Sequence, residues 1–440
     1  MKKRIITTPR HLGSLVLCYL GTLSPWYFVT LVLCYLVTSV SPCHAVNIET
    51  DRSWYLAGET MTVSIAADDA LIAYAELCDV QGLAAGAVVS LQQGTGSGVI
   101  QLPAHLHSGY YVLSAYTRHD TTVVHRLIAV VNPLRKSPQD DIQWIPVAHS
   151  DSLSGPTLDA SNGFTLSDLV SSKPSGDREA EGHIIMARIK APRATGTVTA
   201  SLSIVGKQIH YFEGQMLDDT TVVFRTYGLH GKLPLVLAAK TATGESLPIE
   251  LLSPFAGLLP RKLPHLVFHY NRSEVEARSL SMQRHLAALA PAKSKTQQEA
   301  ADGATTLPYD ETAFGTNPDP SYNLDEYRQF LTVREVLFEY VGNVRNRKVN
   351  GKPQLSVRGE LFDYNDLPSL VLIDGMPVSD TERLLSYDAR RVHYINIYAN
   401  QYTFGNDIYN GILSIVTRSG RLTNYPIEQN MQYLVYIFPF

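Results

Sequence analysis

Apolar and polar positions along this chain alternate in short runs, and glycine, proline and aspartate break them. Between residues 46 and 133 strand-like runs recur at 61–66, 72–78, 88–91, 98–102, 110–116 and 123–130. Regular short strands with turn residues between them predict an all-β sandwich. From 134 to 180, Pro138, Pro146, Pro156 and Pro174 are spread among Ser, Asp and Gly, a composition that predicts an extended surface connector. Strand-like runs return at 184–190, 197–205, 221–226 and 233–238 and predict a second sandwich over 181–262. The alternation at 197–205 is nearly perfect, so one face of that strand is expected to be solvated.

The pattern changes after residue 262. Ser273 and Glu276 have capping-box spacing and predict a helix running toward residue 289. Residues 290–322 complete a helix-and-linker segment, 263–322. Thr332 and Glu335 form a second capping box, opening a helix that puts Val336, Leu337, Tyr340 and Val341 on one stripe. The apolar run 370–373 stops at Asp374-Gly375, the pairing that favours a two-residue hairpin turn. Residues 391–398 read as a strand in which Val392, Tyr394 or Ile395, and Ile397 compete for the inner face. A glycine-punctuated turn follows at 404–411, then a last strand, 412–417, ending at Ser419-Gly420. The apolar tail, 421–440, offers one more strand, docked on the protein's own sheet or belonging to a chain truncated early.

Two stretches carry family resemblances. The run Leu370-Val-Leu-Ile-Asp-Gly-Met-Pro-Val378, a Val-x-x-Ile-x-Ile-Tyr strand ending at Tyr398, and the segment from Tyr402 to Gly420 resemble the plug domain of TonB-dependent outer-membrane receptors. The likeness covers roughly 331–420. It implies an α/β fold over 323–420 with Asp374, Gly375, Gly405, Gly411 and Gly420 at structural positions. Asn396 stands where the family has an acidic residue, and the turn at 405–409 is bulkier than usual. Receptor plugs sit in barrels of about 22 strands, each of about 10 residues. Residues 421–440 supply one or two strands, so the expectation is a plug-like module without its own barrel, unable to transport by itself.

Near the other end, the run from Asp51 to Glu59 (DRSWYLAGE), with Leu102-Pro103 and Ser108-Gly-Tyr-Tyr111, resembles macroglobulin-type immunoglobulin-like domains. Ala57 replaces a proline of that pattern. The resemblance covers 46–133 and implies structural roles for Tyr55, Gly58, Glu59, Gly109 and Tyr110. No Cys-Gly-Glu-Gln run is present, which excludes thioester trapping of proteases.

Composition narrows the class further. A net charge of -4 argues against a nucleic-acid binder, and 24 Tyr, 24 Pro and 29 Gly suit turn-rich β structure. Residues 1–45 read as an export segment, with a basic start at Lys2, Lys3, Arg4 and Arg10 and two apolar runs. The run 14–22 recurs as 30–38, a tandem duplication of one hydrophobic region. Cleavage after Cys43-His-Ala45 would start the mature chain near Val46; an uncleaved membrane anchor is the alternative. Cys18, Cys34 and Cys43 lie in this segment, leaving Cys78 as a small buried hydrophobe with no disulfide partner.

Catalytic patterns are absent from the sequence: no Gly-x-Ser-x-Gly, no phosphate loop and no His-Glu-x-x-His. His105 and His107 could share a strand face and one ion, but a site needs three or four ligands. Asp68-Asp69 and Asp140-Asp141 read as solvated loop acids. The basic run Arg345, Arg347, Lys348 and Lys352 reads as a solvated hairpin loop, with an acidic partner or lipid headgroup as the binding alternative. No cofactor is expected.

The expected architecture is therefore mainly β with a smaller α/β domain: tandem immunoglobulin-like β-sandwiches followed by a plug-like α/β domain. This combination resembles envelope proteins of Bacteroidetes-type bacteria. It implies a non-enzymatic binding or scaffolding role in the periplasm or at the outer membrane, with an envelope or outer-membrane protein as partner. Membrane contact is expected only through the N-terminal segment or the C-terminal tail. The alternative is an accessory subunit of a TonB-dependent transport system.

Overall fold

The computed structural model describes residues 46–119, 122–147, 153–169, 176–190, 197–289, 309–349, 351–358, 367–405, 407–422 and 425–439. The export segment and its three cysteines lie outside the described residues.

Eight strands build the first module: β1 (Asn47–Thr50), β2 (Trp54–Leu56), β3 (Thr60–Ala66), β4 (Ile72–Cys78), β5 (Leu83–Ser90), β6 (Thr95–Gln101), β7 (Gly109–Tyr116) and β8 (Val124–Val131). They sort into a three-stranded sheet, β1-β3-β6, and a five-stranded sheet, β2-β8-β7-β4-β5. In β3, Met61, Val63 and Ile65 point inward and Thr62 and Ser64 outward, as a pleat dictates. The inward residues share one core with Ala75 and Leu77 of β4 and with Tyr111 and Leu113 of β7. Two sheets facing each other across one core make a sandwich.

Strands β4 and β7 are buried at every position, not at alternate ones. Their second face is covered by segments from elsewhere in the chain. One of these, β9 (Ile142–Pro146), comes from the stretch that reads as a connector, which also supplies β10 (Gly155–Asp159). Pro146 ends β9 and Pro156 lies on β10, both edge strands of their sheet, where the missing N–H is tolerated.

The second module contains β11 (Ile184–Ile189), β12 (Val198–Ile204), β13 (His210–Glu213), β14 (Gln215–Met216), β15 (Thr221–Arg225), β16 (Gly231–Thr241), β17 (Ser246–Leu247) and β18 (Ile249–Leu251). One sheet runs β14-β15-β11-β18, the other β13-β12-β16-β17. Ile185, Ala187 and Phe224 of the first meet Leu202, Ile204, Leu235 and Leu237 of the second, forming another sandwich.

After it come β19 (His265–Tyr270) and helix α1 (Arg272–Leu289). β19 pairs parallel with β9 and antiparallel with β10, and Leu266, Phe268 and Val275 bury Trp54, Leu56, Tyr110 and Val131 of the first sandwich. The helix starts earlier than its capping-box spacing suggests. Asn271, not Ser273, is the cap, accepting from the Ser273 and Glu274 amides at 3.1 and 3.3 Å.

The C-terminal module holds β20 (Ser321–Asn323), α2 (Val333–Glu339), β21 (Val344–Val349), β22 (Lys352–Val357), β23 (Leu370–Ile373), β24 (Met376–Pro377), α3 (Thr381–Ser386), β25 (Val392–Phe404), β26 (Asp407–Thr417) and β27 (Gln432–Phe438). A mixed sheet runs β20-β25-β26-β23-β24, with β23 parallel to β26. The Thr332–Glu335 capping box is present at the start of α2. Alternation in β23 sends Val371 and Ile373 to one face and Leu370 and Leu372 to the other. The first face packs on Val336 and Leu337 of α2 and Leu384 and Leu385 of α3. The second packs on Ile209 and Tyr211 of the second sandwich. A β-bulge between Val392 and Tyr394 settles the competition in β25: Val392, Ile395 and Ile397 share the helix-side core.

The tail closes the molecule back on itself. β27 pairs antiparallel with β16 from Gly231↔Phe438 to Leu237↔Gln432, and Phe438 enters the core of the second sandwich. The outer face of β12 is not solvated as the alternation predicts. Ser203 is fully buried and Ser201 nearly so, because the C-terminal module lies against that face. Small hydroxyl side chains read as a wet surface in sequence but permit close packing.

Asp374 and Gly375 form the tight turn between β23 and β24, with φ of +47° and +89°. Positive φ at both central residues is what a type I′ turn requires. A Cβ on Gly375 would also stand 2.7 Å from the Ile204 carbonyl oxygen. Gly375→Val is therefore expected to destabilise the protein by roughly 3 kcal/mol, backbone strain plus overpacking. Chemical denaturation of the intact protein measures it, since the turn packs against another module; an unchanged midpoint refutes this account of the turn.

Candidate functional site

The motif residues of the first module dock a helix. Asp51 Oδ1 accepts from the Tyr55 hydroxyl at 2.6 Å and from the Thr62 amide at 2.9 Å. Glu59 accepts from the Leu56 amide at 2.9 Å and pairs bidentately with Arg278 of α1, at 3.0 and 2.6 Å. The Arg278 guanidinium also lies 3.6 Å from the Trp54 ring centre. Gly58 sits under Met282 of the same helix. Gly109 opens β7, and Tyr110 is buried in the layer beneath β19. Arg278 lies 219 positions from Glu59, so nothing local in the sequence links them.

The motif positions of the last module gather along its seam with the second sandwich. The Gly206 amide donates to the Asp374 carbonyl at 2.9 Å. Gly375 faces Ile204, Gly405 faces Glu213, and Gly420 faces Lys207. Gly411 is the exception: its Cβ would meet Val357 of β22 at 2.7 Å. The Asp374 carboxylate is fully buried and accepts from the Thr417 amide (2.7 Å), the Thr417 hydroxyl (2.6 Å) and the Leu422 amide (2.8 Å). Burial outweighs these three donors and holds its pKa above the ordinary carboxylate value.

Where this seam opens, it leaves a cleft of about 420 Å³. β12 and β16 supply one wall through Thr199, Ser201 and Lys240; β22 and the start of β23 supply the other through Lys352, Gln354 and Ser369. Tyr211 and Glu213 of β13, with Asp407 and Tyr409 beside the β25–β26 turn, line a further wall. The Asp407 amide donates to Glu213 Oε2 at 3.2 Å, and the Tyr409 hydroxyl donates to Asp407 Oδ2 at 3.1 Å. Lys240 Nζ stands 5.6 Å from the Tyr409 ring centre. Burial, Tyr211 and Asp407 push the Tyr409 phenol far above its usual range, and burial pushes Tyr211 up to about 12. Both phenols are therefore neutral at physiological pH. The Ser369 hydroxyl accepts from the Val357 amide at 2.8 Å and donates to the Asn410 carbonyl. The cleft can thus offer tyrosines and hydroxyls, two carboxylates and two ammonium groups to a polar molecule, with Leu370, Val371 and Met431 as an apolar floor.

A second polar cluster is closed to solvent. Glu179 accepts from the Tyr74 hydroxyl at 2.7 Å and from the Ile184 amide at 2.8 Å. His183 Nδ1 lies 3.0 Å from Glu179, and its Nε2 lies 2.7 Å from the Tyr436 hydroxyl. The cluster joins the first sandwich, the entry to the second and the last strand. Its partners are 105 and 253 positions apart, beyond the reach of spacing arguments.

The remaining sequence candidates have structural work. His105 and His107 lie in a loop before β7, not on a strand. The His107 ring contacts Tyr111 at 3.2 Å and Asp79 at 3.6 Å. No cluster of three or more His, Cys, Asp or Glu suited to a metal ion occurs among the described residues. Asp140 accepts from the Ser108 and Ser137 amides, Asp141 pairs with His265, and Asp69 pairs with Arg178. Arg345, Arg347, Lys348 and Lys352 belong to the β21–β22 hairpin itself. Cys78 is fully buried, and burial pushes its thiol up to about 12.

Glu76 is a fully buried acid that sequence reasoning passed over. It accepts from the Gly257 amide (3.1 Å), the Tyr116 hydroxyl (3.2 Å) and the Leu258 amide, and so holds the 256–258 loop. Burial raises its pKa. A group raised in the folded state contributes stability fully below its unfolded value. That stability is lost as pH climbs through the folded value. Glu76→Gln is expected to flatten the stability-versus-pH curve above about pH 4.5, the ordinary glutamate value, where the wild type declines. Denaturation midpoints from pH 4 to 8 test this, and parallel curves for the two proteins would refute it.

No family model matches this chain, and no curated protein matches it. Among solved structures it is similar to the trypsin-activated alpha-2-macroglobulin of Escherichia coli, at 13% identity and a TM-score of 0.19, covering 48% of this chain and 16% of that one. The DIP-gamma IG1+IG2 structure is 8% identical at a TM-score of 0.15, covering 51% and 98%. The collagen adhesin of S. aureus is 10% identical at a TM-score of 0.10, covering 51% and 93%. Scores this low carry no argument here; the mainly β architecture rests on the sheets and cores described above.

Proposed function

We propose that this is an exported, non-enzymatic binding or scaffolding protein of the bacterial cell envelope, with a macroglobulin-like first domain and a plug-like last module. One observation carries the reading. The mixed sheet of the last module is covered on both faces by this chain, by α2 and α3 on one side and by Ile209 and Tyr211 on the other. The returning strand β27 ties the same module into the second sandwich. A plug that works inside a separate barrel must present its surfaces to that barrel. Here the sheet is instead part of a fixed body with a cleft at its seam. That favours a ligand-holding platform over the accessory-subunit reading.

Photo-crosslinking in cells tests it, with the probe at Gln354 in the cleft, combined with fractionation of the envelope. Adducts at Gln354 in the periplasmic or outer-membrane fraction are expected. Crosslinks to a barrel protein from positions on the mixed sheet would overturn this reading in favour of the transport accessory. Recovery of the protein in the cytoplasm would overturn both.

A further inference from the structure

We propose that the cleft at the seam takes a small organic dianion, a carbon frame of sugar size carrying two carboxylate or phosphate groups. The inference rests on the ligand-holding reading of this cleft and names the chemistry of its ligand. Lys240 on β16 and Lys352 on β22 line the cleft from opposite walls, and neither makes a hydrogen bond or ion pair among the described residues. The contact recorded for Lys240 is the Tyr409 ring, 5.6 Å from its Nζ. Gln354 lies two positions along β22 from Lys352, on the same strand face, and its side-chain amide is likewise uncommitted.

The acceptors of the cleft, by contrast, are engaged. Asp407 accepts from the Tyr409 hydroxyl at 3.1 Å, and Glu213 accepts from the Asp407 amide at 3.2 Å. The hydroxyls of Ser369, Ser379 and Ser246 donate to Asn410, Glu428 and Gln429. Tyr211 and Tyr409 are neutral phenols and add no repulsion. The groups without partners are thus donors, two of them charged. Their complement is a set of anionic oxygens.

Size and floor set the rest. A volume of about 420 Å³ lies in the range of about 300–1,000 Å³ usual for small-molecule sites, and a bare oxyanion fills little of it. Leu370, Val371 and Met431 ask for a carbon frame. Two ammonium groups on opposite walls ask for two acid groups. Lysine meets carboxylate and phosphate alike as a point charge, so the dianion is the shared feature. The walls are also tied at a fixed separation by the segment 428–431. Glu428 accepts from the Ser379 amide at 2.9 Å, the Ser246 hydroxyl donates to the Gln429 carbonyl at 3.0 Å, and the Asn430 side chain donates to the Ser246 carbonyl at 2.9 Å. Ser246 belongs to the second sandwich and Ser379 to the last module, and both line the cleft. A site held open in advance loses less on binding.

Isothermal titration calorimetry of the purified protein tests this. Digalacturonate and fructose 1,6-bisphosphate are the probes, with lactose as the neutral control. Saturable binding of at least one dianion, weakening with salt, is expected, and the preferred probe tells carboxylate from phosphate. Lys240→Gln and Lys352→Gln should each lose about tenfold in affinity, the scale of one charge-assisted hydrogen bond. Both side chains are exposed, and circular dichroism of each variant checks the fold. Asp407→Asn keeps an oxygen for Tyr409 and should bind the dianion at least as tightly as the wild type; a loss there means that the site reads a cation and overturns the proposal. No binding of either dianion tighter than about 1 mM overturns it. Equal binding of lactose, or an affinity unmoved in the double lysine variant, does the same. The Gln354 crosslink separates this inference from the reading beneath it. Adducts that persist in the Lys240→Gln, Lys352→Gln protein would overturn the dianion and leave the platform standing, whereas no adducts in the wild type would remove both.

Discussion

Glu59→Ala is expected to release α1 from the first sandwich and to destabilise the protein by about 3 kcal/mol, the low end for breaking a buried ion pair, because this one is part-buried. The Glu59 carboxylate is the shared acceptor for the Leu56 amide, for both arms of the Arg278 fork and for Arg52 at 3.3 Å. Its loss leaves Arg278 over Trp54 with only Glu274, at 3.9 Å, as a carboxylate partner, in a part-buried site. The polar groups left unpaired, more than the lost attraction itself, set the size of the effect. Glu59→Gln keeps one acceptor and should fall between wild type and alanine. Limited trypsinolysis separates local from global failure. Faster cleavage after Arg278 and Arg284, with the rest of the chain resistant, is the expected pattern. Unchanged cleavage and an unchanged denaturation midpoint would show that Glu59 does not hold the helix.

Asp374→Ala should be comparably damaging, at roughly 3–5 kcal/mol. Two main-chain donors and a hydroxyl lose their acceptor at once inside the core, at about 1–3 kcal/mol for each buried group left unsatisfied. Alanine must also occupy a φ of +47°, which it adopts less readily than aspartate or asparagine. Asp374→Asn therefore serves as the informative comparison. It tolerates the same backbone and retains one oxygen, so it should recover more than half of the loss. Because burial raises the Asp374 pKa, the stability it contributes in the wild type is largest below 3.8. That contribution falls as pH rises through the folded value. The asparagine variant should lack this slope. Equal destabilisation by alanine and asparagine would mean that the hydrogen bonds to Thr417 and Leu422 are not what secures the turn.

Both predictions concern residues whose position was legible in the sequence but whose partners were not. Asp374-Gly375 was readable as a turn because apolar runs flank an Asp-Gly pair. That its carboxylate would hold residues 417 and 422 was not readable, since the loop after β26 has no pattern of its own. Glu59 belonged to a recognisable motif, and Arg278 to an unremarkable helical stretch. The cleft was invisible for the same reason. Lys240, Gln354 and Asp407 come from three separate hairpins and meet only when the modules pack.

The sequence by itself determined the local items: period-two strands, the Thr332–Glu335 cap, the Asp374-Gly375 turn and the burial of Cys78. The first three depend on residues within a few positions of one another, where backbone geometry leaves few choices; the last follows from the apolar character of an unpaired cysteine. Tertiary structure decided which face meets what. Alternation states that one side of β12 is apolar and the other polar; it does not say whether the polar side meets water. Ser201 and Ser203 are small enough to be buried under another module, and Ser203 is. The tail illustrates the same limit. An apolar strand must find an edge, and its composition does not say which, because several edges would satisfy its main chain. β16 has room beside Gly231–Leu237 and an adjoining core that accepts Phe438, and that fit of shape places β27.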